Sequence, residues 1–154
     1  MEIADLVSLE SVIADLKVVS KKQALQELAA RASPLVGLPE RVLFDGLLER
    51  EKLGTTGVGG GVAIPHGKFV PLGRTYGVFA RLAQAIDFDA VDGQPVDLIF
   101  VLLAPQSAGA DHLKALARVS RLFRDRAMCE KLRGTEKAEA LYALLTESAS
   151  SQAA

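Results

Sequence analysis

The sequence predicts a single α/β domain in which a β-sheet is flanked by helices on both faces. Helical patterns occupy the two ends of the chain and strand patterns its middle, an order that favours a sheet packed between helices. The run 96–103 is almost continuously apolar, which is typical of a central strand covered on both sides. Because 49% of the 154 residues are hydrophobic, the chain can bury a substantial core. We place this domain at residues 1–147.

Two helices are predicted in the first third of the chain. Ser20 and Gln23 have the spacing of a capping box, and apolar residues follow at helical intervals, namely Leu25, Leu28, Ala29 and Ala32. Pro34 is expected to end or kink this helix. Pro39 suits the first turn of the second helix, which should end near Leu53. Its apolar face carries Leu43, Phe44, Leu47 and Leu48.

Four strands are predicted. A weak pattern covers 12–18, and the short β-branched run 62–64 is bounded by glycine and proline. Apolar residues alternate over 76–83, and a turn at 92–95 leads into the central strand 96–103. These strands form the middle layer of the predicted domain.

Three helices are predicted in the last third. Asp111 is expected to open the first, whose apolar stripe carries Leu113, Leu116, Val119 and Phe123. A short helix follows over 127–132. Thr135 is expected to cap the last helix, whose inner side carries Ala138, Leu141, Tyr142 and Leu145. The small, polar residues 148–154 are expected to form a frayed tail.

Composition excludes several classes of function. A net charge of −1 gives no field that would attract nucleic acid or an anionic membrane. No apolar run approaches the ~20 residues of a membrane span, and the N-terminus is acidic where a secretory signal would be basic. Cys129 is the only cysteine, so there is no internal disulfide framework. We therefore expect a cytoplasmic protein without membrane insertion.

A cluster of glycines is the first candidate for a site. Five lie within eight residues, namely Gly54, Gly57, Gly59, Gly60 and Gly61. Such a backbone can expose N–H groups that bind anions, phosphate above all, although a plain flexible loop has the same composition. Val62 stands where both a Walker A loop and G-x-G-x-x-G would need glycine, and Phe69 replaces the Ser/Thr that would hold magnesium. Nucleotide binding is therefore disfavoured.

His66 is the second candidate, because it stands between Pro65 and Gly67 after the run 62–64. Proline fixes one backbone dihedral, and glycine leaves room for a close approach. A neutral imidazole can attack phosphorus, and a covalent phosphohistidine would split a transfer into two steps. An ordinary surface or structural histidine is the alternative.

His112 and Arg50 are weaker candidates. His112 lies at a predicted helix start, where backbone N–H groups favour an anion, but it could be an ordinary first-turn polar residue. Arg50 could bind phosphate if the fold brought it near His66, yet residues 49–52 look like a solvated charged face. Two histidines and Cys129 match no zinc spacing, and Cys129 has no histidine nearby in sequence, so we expect neither a metal nor a cysteine nucleophile.

Residues 51–68, EKLGTTGVGGGVAIPHGK, combine an acidic residue at a position where an acidic or amide residue is expected, a spaced glycine, two variable positions and then aliphatic-Ala-aliphatic-Pro-His-Gly. This pattern resembles the phosphorylation-site signature of bacterial phosphotransferase-system IIA proteins of the mannitol/fructose type, and within them the nitrogen-regulatory branch. The resemblance continues through 88–98 and the Asp111-His112-Leu113 helix start, and so covers nearly the whole chain.

The resemblance implies an α/β fold with a mixed sheet, and a phosphotransferase component that needs no cofactor. His66 would accept a phosphoryl group from a phosphohistidine on an HPr-like carrier protein (NPr), with Arg50 and His112 around that group. The loop residues expected to contact phosphate are Thr56, Gly57, Gly59, Gly61 and Gly67. Gly60 departs from the pattern, because relatives often carry a larger polar residue there.

Three functional hypotheses stay open at this point. The first is a regulator whose phosphorylation state decides which target proteins it binds, potassium transporters and sensor kinases being typical of this branch. The second is a sugar-specific component that passes phosphate to a IIB protein. The chain carries no IIB or membrane domain, which favours the regulator. The third is a binding module whose histidine is not modified.

Overall fold

A mixed six-stranded β-sheet forms the centre of the computed structural model, which describes residues 1–153 and the side chains of residues 1–147. The strands are β1 Val12–Leu16, β2 Gly57–Gly59, β3 Val62–Ala63, β4 His66–Phe69, β5 Tyr76–Ile86 and β6 Val96–Pro105. The α-helices within this part are α1 Ile3–Leu6, α2 Lys21–Val36, α3 Glu40–Lys52, α4 Ala110–Arg124, α5 Arg126–Arg133 and α6 Ala138–Ala153. A short 3₁₀ helix at Leu9–Ser11 precedes β1.

The sheet is mixed, as the resemblance implied. Its order is β1-β5-β6-β3-β2, with β4 also paired to β6. The pair β5–β6 is antiparallel, whereas β1 lies parallel to β5, and β3 and β4 lie parallel to β6. Apolar residues of β6 are buried on both faces, which confirms the central position predicted for it.

Helices cover both faces of the sheet. One core lies between the sheet and the pair α2–α3, with Leu25 and Leu43 among its fully buried members. The other lies beneath α1, α4, α5 and α6, and is built around Phe79 and Phe100. Burial of apolar side chains in two layers stabilises the fold and fixes α3 and α4 on opposite faces of one sheet edge. The predicted fold class is confirmed.

Strands β3 and β4 pair with the same strand, β6, one after the other along the chain. Val62 lies opposite Leu98 and His66 opposite Leu102, so the register does not change between the two strands. The pairing with β6 is interrupted at Ile64 and Pro65 because proline has no N–H to donate to the ladder. Its carbonyl still accepts a hydrogen bond from the Leu102 N–H at 2.9 Å.

Sequence patterns missed β2, β4 and α1, and placed a strand at 62–64 where β3 ends at Ala63. The missed strands are three and four residues long and rich in glycine, so they carry little alternation to detect. As a consequence His66 follows β3 after two residues, as expected, but it also opens a strand that was not predicted. It is the first residue of β4.

The boundaries of α2 and α3 differ from the prediction at both prolines. Ser20 caps α2 as expected, since its side chain accepts a hydrogen bond from the Gln23 N–H. Pro34 does not end that helix, which runs on to Val36, because a proline in the last turn removes a single backbone bond and has a helical φ. The helix ends where Gly37 takes a left-handed conformation. Pro39 is the N-cap of α3 and not a residue of its first turn.

Two predictions for the last third are wrong. Asp111 does not open α4, which begins at Ala110 after a Gly109 N-cap, and Leu113 is 67% exposed. The buried stripe of α4 begins one residue earlier, at His112. Thr135 donates its hydroxyl hydrogen bond to the Lys131 carbonyl at the end of α5, where prediction made it the cap of α6.

The short helix predicted at 127–132 is present as α5. The expected frayed tail at 148–154 stays a prediction: α6 runs to Ala153, and the side chains of 148–154 lie outside the described part of the structure. No helix in the described part of the chain is long and apolar enough to cross a membrane.

Candidate functional site

Three elements meet where β4 begins. They are the C-terminal turn of α3, the first residues of β4 and the first turn of α4. Between them lies an open cavity of about 390 Å³, lined by Gly46, Glu49, Arg50, Leu53, His66, Gly67, Lys68 and His112. The fold therefore brings His66, Arg50 and His112 together, although 16 and 46 residues separate the two partners from His66 in sequence.

The hydrogen bonds of His66 determine its tautomer. Its Nδ1 lies 2.9 Å from the carbonyl oxygen of Ile64, which can only accept, so Nδ1 carries the proton. In the neutral ring Nε2 then has a free lone pair. This atom accepts a hydrogen bond from Nε of Arg50 at 3.1 Å. His66 is half-buried and lines the cavity together with Arg50.

Arg50 is held at two points in the last turn of α3. Besides the bond to His66, one terminal nitrogen donates to the Gly54 carbonyl at 2.8 Å. The planar guanidinium is thereby oriented before any ligand arrives, and its remaining N–H groups can donate to an anion. The charged run 49–52 is in part the solvated face that the sequence suggested, since Glu49 pairs with Lys52 at the surface. Arg50 itself turns inward.

His112 lies beneath the cavity in the first turn of α4. It is 5% exposed, and its ring centroid is 5.5 Å from that of His66. Among the described residues its Nδ1 has no hydrogen-bond partner. The buried position is unusual for a first-turn polar residue, and it places a second imidazole within reach of any group bound to His66.

Both histidines are held neutral. Burial lowers the pKa of His66 from 6.5, the Ile64 carbonyl raises it, and the charges of Arg50 and Glu51 act in opposite directions, Arg50 lowering it. Burial also lowers the pKa of His112, assisted by the proximity of His66 and Lys68. At neutral pH each ring is uncharged, which is the state in which an imidazole can act as a nucleophile.

These lowered pKa values predict a pH dependence of stability. Unfolded histidines titrate near their ordinary pKa of about 6.5, so below that pH the unfolded chain binds more protons than the native one. The free energy of unfolding should therefore fall as pH drops from about 7 through the histidine range, and histidine should contribute no slope above it. Urea denaturation of the wild type and of His66→Gln/His112→Gln at a series of pH values measures the histidine part. Native titration midpoints at or above about 6.5 would contradict it.

Two glycines allow α3 to approach β4 closely. A Cβ on Gly46 would overlap the ring of Phe69, and one on Gly67 would lie 3.1 Å from the same ring. Gly67 therefore serves packing as well as access. Sequence reasoning missed Gly46, although a glycine inside an amphipathic helix costs about 1 kcal/mol relative to alanine and so marks a close contact. It also missed Lys68, an exposed residue at the cavity.

Of the predicted phosphate-contacting loop residues in the described chain, Gly67 lines this cavity and the others lie apart. Thr56 is buried, and its hydroxyl and N–H both donate to the Glu51 carboxylate. Gly57 packs against Ala90, and Gly61 lies beside Arg133. Phosphate contact by these residues stays a prediction, and the structure gives Thr56 a role within the protein.

Gly59 and Gly60 line a second, larger cavity of about 640 Å³ together with residues of α4 and α5. Gly60 has a φ of 68°, and a Cβ added to it would lie in open space. A larger residue there would meet no atoms but would adopt a strained backbone. The Gly60 N–H donates to Asp92 at 3.0 Å. The departure at Gly60 thus lies away from the His66 cavity.

Within the described part of the chain, no group of three or more His, Cys, Asp or Glu side chains is arranged to hold a metal ion. Cys129 is buried, and burial raises the pKa of its thiol, so this cysteine is held in the less reactive protonated form.

Comparison with known proteins gives consistent matches over the whole chain. Residues 5–148 match the family model described as "Phosphoenolpyruvate-dependent sugar phosphotransferase system, EIIA 2". The nitrogen regulatory protein of Bradyrhizobium diazoefficiens is 61% identical over 145 residues, which cover 94% of this chain and 95% of the relative. The nitrogen regulatory protein of Escherichia coli K12 is 43% identical over 129 residues, covering 83% and 79%.

A solved structure has the same architecture. It is the nitrogen regulatory protein IIA-Ntr from Neisseria meningitidis, which superposes with a TM-score of 0.89 at 38% identity. The match covers 94% of this chain and 99% of that chain.

Proposed function

The chain belongs to the EIIA 2 family of the phosphoenolpyruvate-dependent sugar phosphotransferase system, and we propose that it is a regulatory phosphocarrier that accepts a phosphoryl group on Nε2 of His66. The resemblance to the nitrogen-regulatory branch is confirmed by the relatives. The observation that carries the proposal is the orientation of the His66 ring. Its Nδ1–H is tied to Ile64, which leaves the Nε2 lone pair at an open cavity beside Arg50.

The proposed step needs no proton transfer. The Nε2 lone pair of His66 attacks phosphorus, the P–N bond to the donor histidine of the HPr-like carrier breaks, and its electron pair stays on the donor ring. Nδ1 keeps its proton and its hydrogen bond to Ile64. As electron density moves from the His66 ring to phosphorus, Nδ1–H becomes a stronger donor. Its hydrogen bond to Ile64 therefore strengthens and stabilises the phosphorylated imidazole.

Arg50 has two roles in this step. In the unphosphorylated protein it occupies the Nε2 lone pair and, through its charge, lowers the pKa of His66. When the carrier docks, the guanidinium must leave that lone pair and donate to the phosphoryl oxygens, where charge accumulates in the transition state. The Gly54 carbonyl holds the other end of the guanidinium close to the cavity meanwhile.

Positioning and charge stabilisation are sufficient for such a transfer, since the phosphoryl group passes through a loose transition state. His112 supplies a second imidazole at 5.5 Å from the first. The three side chains line one cavity, and a carrier surface can reach it because the cavity is open. The proposed setting is cytoplasmic, with an HPr-like carrier (NPr) as donor.

The phosphorylation state would then select target proteins. A phosphoryl group adds about two negative charges at neutral pH and would reverse the net positive charge of a cavity now lined by Arg50, Lys68 and Glu49. A partner that fits the unmodified surface would meet repulsion in the phosphorylated one, and the reverse holds for a basic partner. Potassium transporters and sensor kinases remain proposed targets. Passage of phosphate to a sugar IIB protein is the second candidate, which the sugar system in the family description favours.

The proposal is tested by incubating the protein with phosphoenolpyruvate, the first enzyme of the phosphotransferase system and an HPr-like carrier. We expect an acid-labile, base-stable phosphate that depends on the carrier. Adding fructose- or mannitol-type IIB proteins to the isolated phosphoprotein distinguishes the two candidates. Retention of the label supports the regulator, efficient transfer supports the sugar component, and no labelling with any carrier would overturn both.

A further inference from the structure

Glu51 is a buried carboxylate next to Arg50 in α3, and it takes no direct part in the step above. It is 7% exposed. Three donors converge on it: the N–H of Thr56 at 3.1 Å, the hydroxyl of Thr56, and the ammonium of Lys21 at 2.7 Å. Burying an unpaired carboxylate would be very unfavourable, and Lys21 offsets that cost.

The three donors specify a carboxylate at this position. An ionised carboxylate has acceptors only, whereas a glutamine would turn an NH₂ group toward at least one of the donors. Lys21 begins α2, Glu51 lies in the last turns of α3, and Thr56 belongs to the loop before β2. The group therefore joins three segments that meet behind the His66 cavity.

A chain of hydrogen bonds leads from Thr56 to His66. The Thr56 carbonyl accepts from the Ile64 N–H at 2.9 Å, and the Ile64 carbonyl accepts from Nδ1–H of His66 at 2.9 Å. Thr56 and Ile64 are thus each held at both their N–H and their carbonyl. The carbonyl that determines the tautomer of His66 is placed by a residue that Glu51 anchors.

We infer that Glu51, held by Lys21, is a positioning residue for His66: it fixes Thr56 and, through Ile64, keeps the ring in the tautomer whose Nε2 lone pair faces the cavity. The inference rests on the proposed phosphoryl transfer for its significance, but the tautomer itself can be observed without any transfer. A carboxylate that sets the tautomer of a histidine by direct contact is familiar from hydrolases. Here the contact passes through two backbone residues.

The charge of Glu51 acts on His66 as well. It raises the pKa of His66, whereas the charge of Arg50 lowers it. The other groups that face the ring are His112 from α4 and Lys68 on β4. Removing the Glu51 charge should therefore move the His66 titration further below its ordinary pKa.

The test compares Glu51→Gln with the wild type in two separate measurements. Nitrogen-detected NMR of the free, unphosphorylated protein reports the His66 tautomer and its titration. The wild type should be a single Nδ1–H tautomer, and Glu51→Gln should be a mixture that titrates at lower pH. Single-turnover transfer from the phosphorylated carrier should then show a maximal rate constant reduced by about tenfold, the lower end of the loss caused by removing a group that orients a metal-bound histidine, with the carrier concentration for half-maximal rate unchanged.

Two further variants separate positioning from folding and from overall charge. Asp45→Asn makes the same charge change at an exposed site of α3 and should leave both measurements unchanged. If Glu51→Gln does not fold because Lys21 loses its buried partner, Lys21→Met/Glu51→Gln removes both charges and avoids that cost. The double variant should give the same tautomer mixture.

The outcomes are distinct from those of the phosphorylation test. A wild-type tautomer in folded Glu51→Gln or in the double variant would overturn the inference, whether or not His66 accepts phosphate. A tautomer mixture in a protein that never accepts phosphate would leave the positioning role intact and remove the proposed function.

Discussion

Replacing His66 by glutamine is expected to abolish phosphoryl acceptance while leaving the fold intact. No other described side chain at the cavity combines a neutral nitrogen lone pair with access to a carrier, since His112 is 5% exposed. A glutamine oxygen can still accept the Arg50 hydrogen bond that Nε2 accepts now. Because His66 is half-buried, we expect the free energy of unfolding at neutral pH to change by no more than about 1 kcal/mol.

Carrier-dependent labelling with phosphoenolpyruvate and urea denaturation, made on the same preparation, measure the two parts of this prediction. His112→Gln is the matched comparison: it also removes one imidazole from the cavity, and it should slow labelling without abolishing it. Full labelling of His66→Gln would show that phosphate goes elsewhere. If His66→Gln loses labelling because it unfolds, His66→Asn takes its place in the comparison.

Replacing Arg50 by alanine should slow phosphorylation of His66 by about 10²- to 10³-fold, the usual cost of removing one donor that stabilises transition-state charge. The variant loses the guanidinium that contacts Nε2 and the Gly54 carbonyl. It also loses a charge that lowers the pKa of His66, so the acid limb of the pH–rate profile should move to higher pH. Arg50→Lys should recover only part of the rate, because an ammonium cannot make both contacts in one plane.

Single-turnover transfer from the phosphorylated carrier, followed across a pH series, measures both effects. Arg41→Ala is the control, since Arg41 lies on the exposed side of the same helix and pairs with Asp45 at the surface. It should transfer at the wild-type rate. An unchanged rate in Arg50→Ala would show that Arg50 does not assist the transfer and serves only to hold the end of α3.

The sequence predicted the sheet-and-helix architecture because the apolar pattern is strong where the elements are long. Strand β6 and helices α2 and α3 were found from hydrophobic periodicity and cap residues. The short strand β4 was missed because its pairing with β6 is made by backbone atoms, which leave little trace in composition. The sequence therefore placed His66 after a strand without showing that it also begins the next one.

The buried stripe of α4 begins at His112, one residue before the stripe that the sequence predicts. A helical pattern places apolar residues inward, so Leu113 was expected in the core and the polar His112 was not. The structure exposes Leu113 and buries His112. The positions where a sequence pattern fails are often functional sites. Here the residue that breaks the pattern, His112, lines the cavity.

Contacts within the site could not be derived from spacing. The approach of Arg50 to His66 depends on how closely α3 lies against β4, which the absence of a side chain at Gly46 and the ring of Phe69 decide. A resemblance to known proteins supplied the pairing of His66, His112 and Arg50, and the fold brings these residues together. The pattern at 51–68 marks Glu51 as its first residue, but it does not show that Glu51 anchors Thr56, five residues further on.

Phosphorus and nitrogen NMR of the wild-type protein, after phosphorylation by the carrier, tests the proposed role of His66 most directly. We predict one phosphoryl group, bonded to Nε2 of His66, with Nδ1 still protonated and hydrogen-bonded. A phosphoryl group on Nδ1 of His66, on His112 or on an oxygen atom would contradict that role.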